Sequence, residues 1–129
     1  MRQEILDKIT GNSNPFKINL TGLEIKDDEI AEIMTYIKEH QPTATKIDLD
    51  NNLIGDDGAK TLTTHLQKFD NLKEVSIQFN QIGKPGALFI FQLKNNFSSL
   101  DILFRGNKIT DVVEMHEIEQ STRSPSYKP

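Results

Sequence analysis

Short stretches in which apolar and polar residues alternate recur along the chain at nearly constant spacing. Ile47-Asp48-Leu49-Asp50-Asn51-Asn52-Leu53-Ile54, Val75-Ser76-Ile77-Gln78-Phe79-Asn80-Gln81-Ile82 and Ile102-Leu103-Phe104-Arg105-Gly106-Asn107-Lys108-Ile109 align on Asn. An earlier copy, Ile18-Asn19-Leu20-Thr21-Gly22-Leu23-Glu24-Ile25, carries Leu23 in the Asn column. The leading apolar residues stand 29, 28 and 27 positions apart, so one unit is repeated four times. Alternation over so few residues predicts a short strand with one buried face. The Asn amide both donates and accepts. Stacked copies are therefore expected to form a ladder, Asn52, Asn80 and Asn107, that satisfies buried turn amides, with Leu23 breaking it at its start.

Each strand is followed by a helical pattern. Ala59, Leu62, Leu66 and Phe69 share one face after Asp56-Asp57, Ile30, Ile33 and Ile37 keep that register after Asp27-Asp28, and Ala87, Ile90, Leu93 and Phe97 follow Pro85. A strand and helix of this size cannot bury their apolar faces alone, whereas stacked copies share a continuous core. The predicted organisation is an N-terminal capping helix within 1–15 and repeats over 16–110, divided at about 16–43, 44–71, 72–98 and 99–110. A capping helix over 111–120 and a disordered tail over 121–129 complete it. Ile5, Leu6 and Ile9 are the expected inner face of the first cap. Val112, Met115 and Ile118 are that of the second.

The fold class these elements define is α/β, with parallel strands lining the inside of an arc and helices its outside. Within that frame, Asn52-Leu53-Ile54-Gly55-Asp56-Asp57-Gly58-Ala59 followed by Leu62, Leu66 and Leu72 resembles a leucine-rich repeat of the ribonuclease-inhibitor-like class. The resemblance runs from about Phe16 to Asp111 and implies a right-handed β-α superhelix, strands concave and helices convex. It also implies a scaffold for binding protein partners, with no chemistry of its own.

Composition narrows the function further. The 129 residues include 15 Lys plus Arg against 19 Asp plus Glu, a formal charge of −4, so the basic excess that nucleic-acid binding needs is missing. The chain has no Cys, which removes disulfides and thiolate sites and fits a reducing, cytoplasmic setting. The longest apolar run, Ala87 to Phe91, is too short to span a membrane.

The residues that most resemble chemical sites have plainer roles. Asp27-Asp28 and Asp56-Asp57 sit where helix starts favour acceptors and negative charge, and are read as caps. Asp48-x-Asp50-x-Asn52 imitates the start of a calcium loop but continues with Leu53 and Ala59 where Gly and Glu are required. His40, His65 and His116 are scattered, and no nucleophile, base and orienting group fall into a recognisable order. No enzyme, metal or cofactor is expected.

Binding residues are nominated by the strands, because side chains alternating with buried ones face the open side. One column is Lys17, Lys46, Glu74 and Asp101, the next Asn19, Asp48, Ser76 and Leu103, the third Thr21, Asp50, Gln78 and Arg105. Phe79 shares a column with Gly22, Asn51 and Gly106, and joins Leu103 and Arg105 in an apolar and cationic cluster suited to an interface anchor. A rival surface lies on the third helix, where Leu88, Phe89 and Phe91 replace Lys60, Thr61 and Thr63. Its coverage would come from neighbouring helices or from a homodimer contact. Glu114, Glu117 and Glu119 ahead of a Ser/Thr/Pro-rich end resemble the C-terminal export signal of effectors of type IVB secretion systems, which implies delivery into a host cell. A scaffold or fragment without a separate ligand is the reading from another class.

Overall fold

The computed structural model describes residues 1–109 and 111–121; of the expected tail over 121–129, Ser121 instead ends the last helix and 122–129 lie outside the described residues. Four strands, β1 (Lys17–Asn19), β2 (Lys46–Asp48), β3 (Glu74–Ser76) and β4 (Asp101–Leu103), form one parallel sheet in sequence order. The helices are α1 (Gln3–Thr10), α2 (Ile30–His40), α3 (Asp56–Leu66), α4 (Lys84–Phe91) and α5 (Val112–Ser121), with 3₁₀ turns at Asp27–Glu29 and Gln92–Asn95. Ile18, Ile47, Val75 and Ile102 lie side by side in register across the sheet. The expected helix faces are inside: Ile30, Ile33, Ile37, Ala59, Leu62, Leu66, Phe69, Ala87, Ile90 and Leu93 are buried in one core, with Phe97 packed against it.

The first cap works through Ile5 and Ile9, which are fully covered, while Leu6 remains half-buried. Arg2 ties the cap to the first repeat. Its Nε donates to Glu29 Oε2 at 2.9 Å and its Nη2 to Leu23 O at 2.6 Å. The hydrogen bond from Arg2 holds the Glu29 carboxyl below the ordinary carboxylate range, so this pair's stabilisation is present at neutral pH and lost as pH falls through the acid range. Both side chains are partly exposed, so the pair is worth about 1 kcal/mol or less. Arg2→Met is expected to lower Tm by a few degrees at pH 7, with the gap to the wild type narrowing in thermal melts taken toward pH 3.

The second cap corrects an expectation. Ile118 is buried, but Val112 is 81% and Val113 65% exposed, and Met115 is half-buried. Successive helical residues rotate by about 100°, so with Ile118 inward the positions six and five before it face away, while Met115, three before it, stays at the edge of the contact.

Phe91 is the second correction, because it is only 5% exposed and cannot serve as a convex contact. It occupies the column of Met34 and Thr63, both buried, and its ring meets Phe104 edge-on at 5.7 Å between centroids. Each helix packs against its neighbours as well as the sheet, so its covered arc is wider than one stripe. Leu88 and Phe89 are half-buried, with Lys60 Nζ 5.5 Å from the centre of the Phe89 ring.

Candidate functional site: the open face of the sheet

Three ladders of polar side chains hold the repeats in register and thereby shape the open face. In the first, Asn52 Oδ1 accepts from Leu23 N and Ile25 N, both at 3.0 Å, and Nδ2 donates to Leu20 O and Leu49 O at 2.9 Å. Asn80 accepts from Ile54 N and donates to Leu49 O, Ile77 O and Gln78 O. Asn107 accepts from Ile82 N and donates to Ile77 O and Phe104 O. Every rung reaches back into the preceding repeat. At Leu23 the described residues before the repeat form the α1 cap rather than another turn, and Leu20 O, the carbonyl an Asn there would bond within its own repeat, already accepts from Asn52 Nδ2.

The second ladder revises the role of the aspartates. Asp27 Oδ1 accepts from Gly55 N at 2.6 Å, and Asp56 Oδ1 accepts from Gly83 N and Gly86 N at 2.8 and 2.9 Å. Gly55 and Gly83 are the N-caps of α3 and α4. Each carboxylate thus caps the helix of the following repeat rather than its own. Asp28 and Asp57 are exposed.

The third ladder lies on the open face itself. Asp50 Oδ1 accepts from the Ser76 hydroxyl at 2.6 Å and from Gln78 N at 2.8 Å, and Gln78 Nε2 donates to Asp50 Oδ2 at 3.1 Å. Asp48 Oδ1 accepts from Asp50 N at 2.9 Å. These bonds account for the acidic cluster that imitates a calcium loop. Among the described residues no group of three or more His, Cys, Asp or Glu is placed to hold a metal.

The network also corrects the nomination of Ser76, which is 3% exposed beneath Asp50 and Gln78 and cannot meet a partner. Asp48, Asp50, Glu74 and Gln78 are half-buried, whereas Lys46, Asp101, Leu103 and Arg105 are exposed. The leading column changes sign along the sheet, from Lys17 and Lys46 to Glu74 and Asp101.

Phe79 is the exceptional residue. Its column, Gly22, Asn51, Phe79 and Gly106, is left-handed throughout, with φ of 68°, 56°, 56° and 79°. Gly and Asn accept that conformation readily; a bulky aromatic residue does so at a cost of about 1–2 kcal/mol. The Phe79 ring lies over Gly106, so closely that a Cβ there would stand 2.3 Å from it, and Arg105 Cζ is 5.9 Å from the ring centre. Even so, 48% of Phe79 is exposed, as is 40% of Leu103. The ring folds over the next repeat and still presents a face to solvent. A change of residue type within an otherwise Gly/Asn column signals this in the sequence, but the backbone strain does not show there.

The histidines take no part. His40 stacks on Tyr36 and hydrogen-bonds Tyr36 O, His65 is half-buried with its pKa lowered by burial and by Lys68, and His116 is exposed.

Parallel strands in sequence order, one helix per strand and an Asn ladder define this architecture as a leucine-rich-repeat solenoid of four repeats. The leucine-rich-repeat family model matches residues 42–62 and 71–91, the second and third repeats. A solved structure of leiomodin-1 actin-binding site 2 (ABS2) superposes with a TM-score of 0.69 at 19% identity, covering 89% of this chain and 68% of that one. At that identity the likeness is one of fold. By sequence, no curated protein matches the chain significantly. No helix among the described residues is long and apolar enough to cross a membrane.

Proposed function

We propose that this protein is a non-catalytic recognition module that binds a partner protein through the open strand face, anchored on Phe79, Leu103 and Arg105. The observation that carries the reading is Phe79: an aromatic residue held in a strained left-handed conformation, half exposed, with a guanidinium beside its ring. Strain retained on an exposed side chain implies that the side chain does something other than stabilise the fold. Aromatic and Arg residues are also those that dominate interface energetics. Lys46 at the leading edge and the half-buried Asp48, Asp50, Glu74 and Gln78 would form the polar surround, with Asp101 completing the far end.

Phe79→Gly provides the sharpest test, because it relieves the strain and removes the anchor together. Thermal melts should show Tm unchanged or higher, while quantitative affinity capture with the Phe79→Gly, Arg105→Ser variant should lose the partners that the wild type retains. Actin belongs among the purified baits, since the leiomodin segment is named for binding it. Equal capture by wild type and variant would dismiss this face.

A further inference from the structure

Among the described residues, the fourth repeat leaves its strand edge open. In the three earlier repeats, Leu20 N, Leu49 N and Ile77 N donate to Asp48 O, Ser76 O and Leu103 O of the following repeat at 2.8, 2.7 and 2.9 Å. Gly22 N, Asn51 N and Phe79 N do likewise to Asp50 O, Gln78 O and Arg105 O at 3.0, 2.9 and 2.9 Å. The equivalent amides of the fourth repeat, Phe104 N and Gly106 N, meet no acceptor among the described residues. Burial fades at the same edge. Ile102 is half-buried where Ile18, Ile47 and Val75 are 1% exposed or less, and Ile109 is 7% exposed where Ile25, Ile54 and Ile82 are fully covered. Helix α5 packs against α4, and a groove of about 330 Å³ remains, lined in part by Ile102, Phe104, Ile109 and Met115.

We propose that this edge accepts an extended segment of a partner protein, paired parallel to β4 in the place of a fifth strand. Two backbone donors two residues apart call for two carbonyls at strand spacing, which an extended chain supplies and a packed helix does not. Charge sets the side chains. Asp101 and Arg105 stand exposed at the start and end of the β4 segment, and among the described residues neither is ion-paired. The occupant therefore carries a cation opposite Asp101, apolar residues one and three positions later to enter the groove, and a carboxylate opposite Arg105. Lys46-Ile47-Asp48-Leu49-Asp50 has this pattern in its own place in the sheet, which makes its sequence a suitable probe.

The experiment follows amide exchange in the full chain by NMR as a synthetic peptide copying residues 45–54, Thr-Lys-Ile-Asp-Leu-Asp-Asn-Asn-Leu-Ile, is titrated in. Exchange at Phe104 and Gly106 should slow at least about tenfold while the open-face amides keep their rates, a readout that, unlike the charge swap at Arg105, is independent of the open-face anchor. Arg105→Glu should weaken the peptide about tenfold, and an Asp50→Lys version of the peptide should recover binding to that variant. Three results would overturn the proposal: exchange at the two amides insensitive to peptide at millimolar concentration, binding indifferent to the charge swap, or protection in the free chain that rises with protein concentration alongside a dimer mass. The last would assign the edge to a second copy.

Discussion

Asn80→Ala is expected to lower the stability by about 2–3 kcal/mol and Tm by roughly 6–12 °C. Asn80 is 7% exposed and, at the centre of the stack, accepts from Ile54 N and shares its two Nδ2 hydrogens among Leu49 O, Ile77 O and Gln78 O. Truncation strands Ile54 N and leaves a void in the turn, while Leu49 O, Ile77 O and Gln78 O keep Asn52 Nδ2, Asn107 Nδ2 and Asn51 N as donors; the covered turn leaves water little access to replace the amide. Asn80→Asp separates lost volume from lost bonding. It keeps the shape and the acceptor for Ile54 but points carboxylate oxygens at three carbonyls, which favours the protonated form. That variant should gain stability as pH falls toward 4, where a protonated carboxyl again donates. Thermal melts of both variants at pH 4 and 7 check the expectation; an Asn80→Ala melt within 2–3 °C of the wild type, under 1 kcal/mol, would show that the ladder does not hold the stack.

Gly58→Ala should cost about 2–3 kcal/mol, although glycine-to-alanine at a helix position ordinarily stabilises by about 0.5–1 kcal/mol. The reversal of sign comes from the second ladder. A Cβ on Gly58 would stand 2.3 Å from Asp27 Oδ1 and 2.9 Å from Ile54 Cγ2, and Asp27 is held there by its bond to Gly55 N. The carboxylate cannot withdraw without uncapping α3. Combining Gly58→Ala with Asp27→Ala should therefore cost less than the two single losses added, by about 1 kcal/mol in a double-mutant cycle from denaturant melts. Strict additivity would mean that Asp27 moves aside freely.

Both predictions rest on bonds between repeats, and this is where sequence reasoning reaches its limit. The Asn column is visible as a column, and its ladder follows from the amide's chemistry, but the direction of each rung does not. Only the stacked turns show that Asn52 serves Leu23 and Ile25, which is why Leu23 itself needs no polar replacement. Asp27 and Asp56 look like caps of their own helices because local precedent is the only guide along a chain. The structure turns both toward the next helix. On the open face, alternation correctly sends Ser76 to the same side as Asp48 and Leu103, yet its burial depends on Asp50 and Gln78 closing over it from positions 26 residues earlier and two later. Phe91 illustrates the same limit on the helix side, since its cover comes from Phe104 across the sheet–helix interface.

What the order of residues determined alone is the repeat: its period, its short strands, its amphipathic helices and the consequent need to stack, all of which follow from apolar spacing along the backbone. The tertiary structure decided which polar group meets which, how much of each nominated side chain remains exposed, and where the chain holds strain or leaves an edge unpaired. Hydrophobic periodicity is a local property, carried by neighbours three or four positions apart. Hydrogen-bond partners and left-handed strain at Phe79 arise only when segments nearly thirty residues apart are brought within bonding distance, and the amides of Phe104 and Gly106 stand out because no such segment among the described residues meets them.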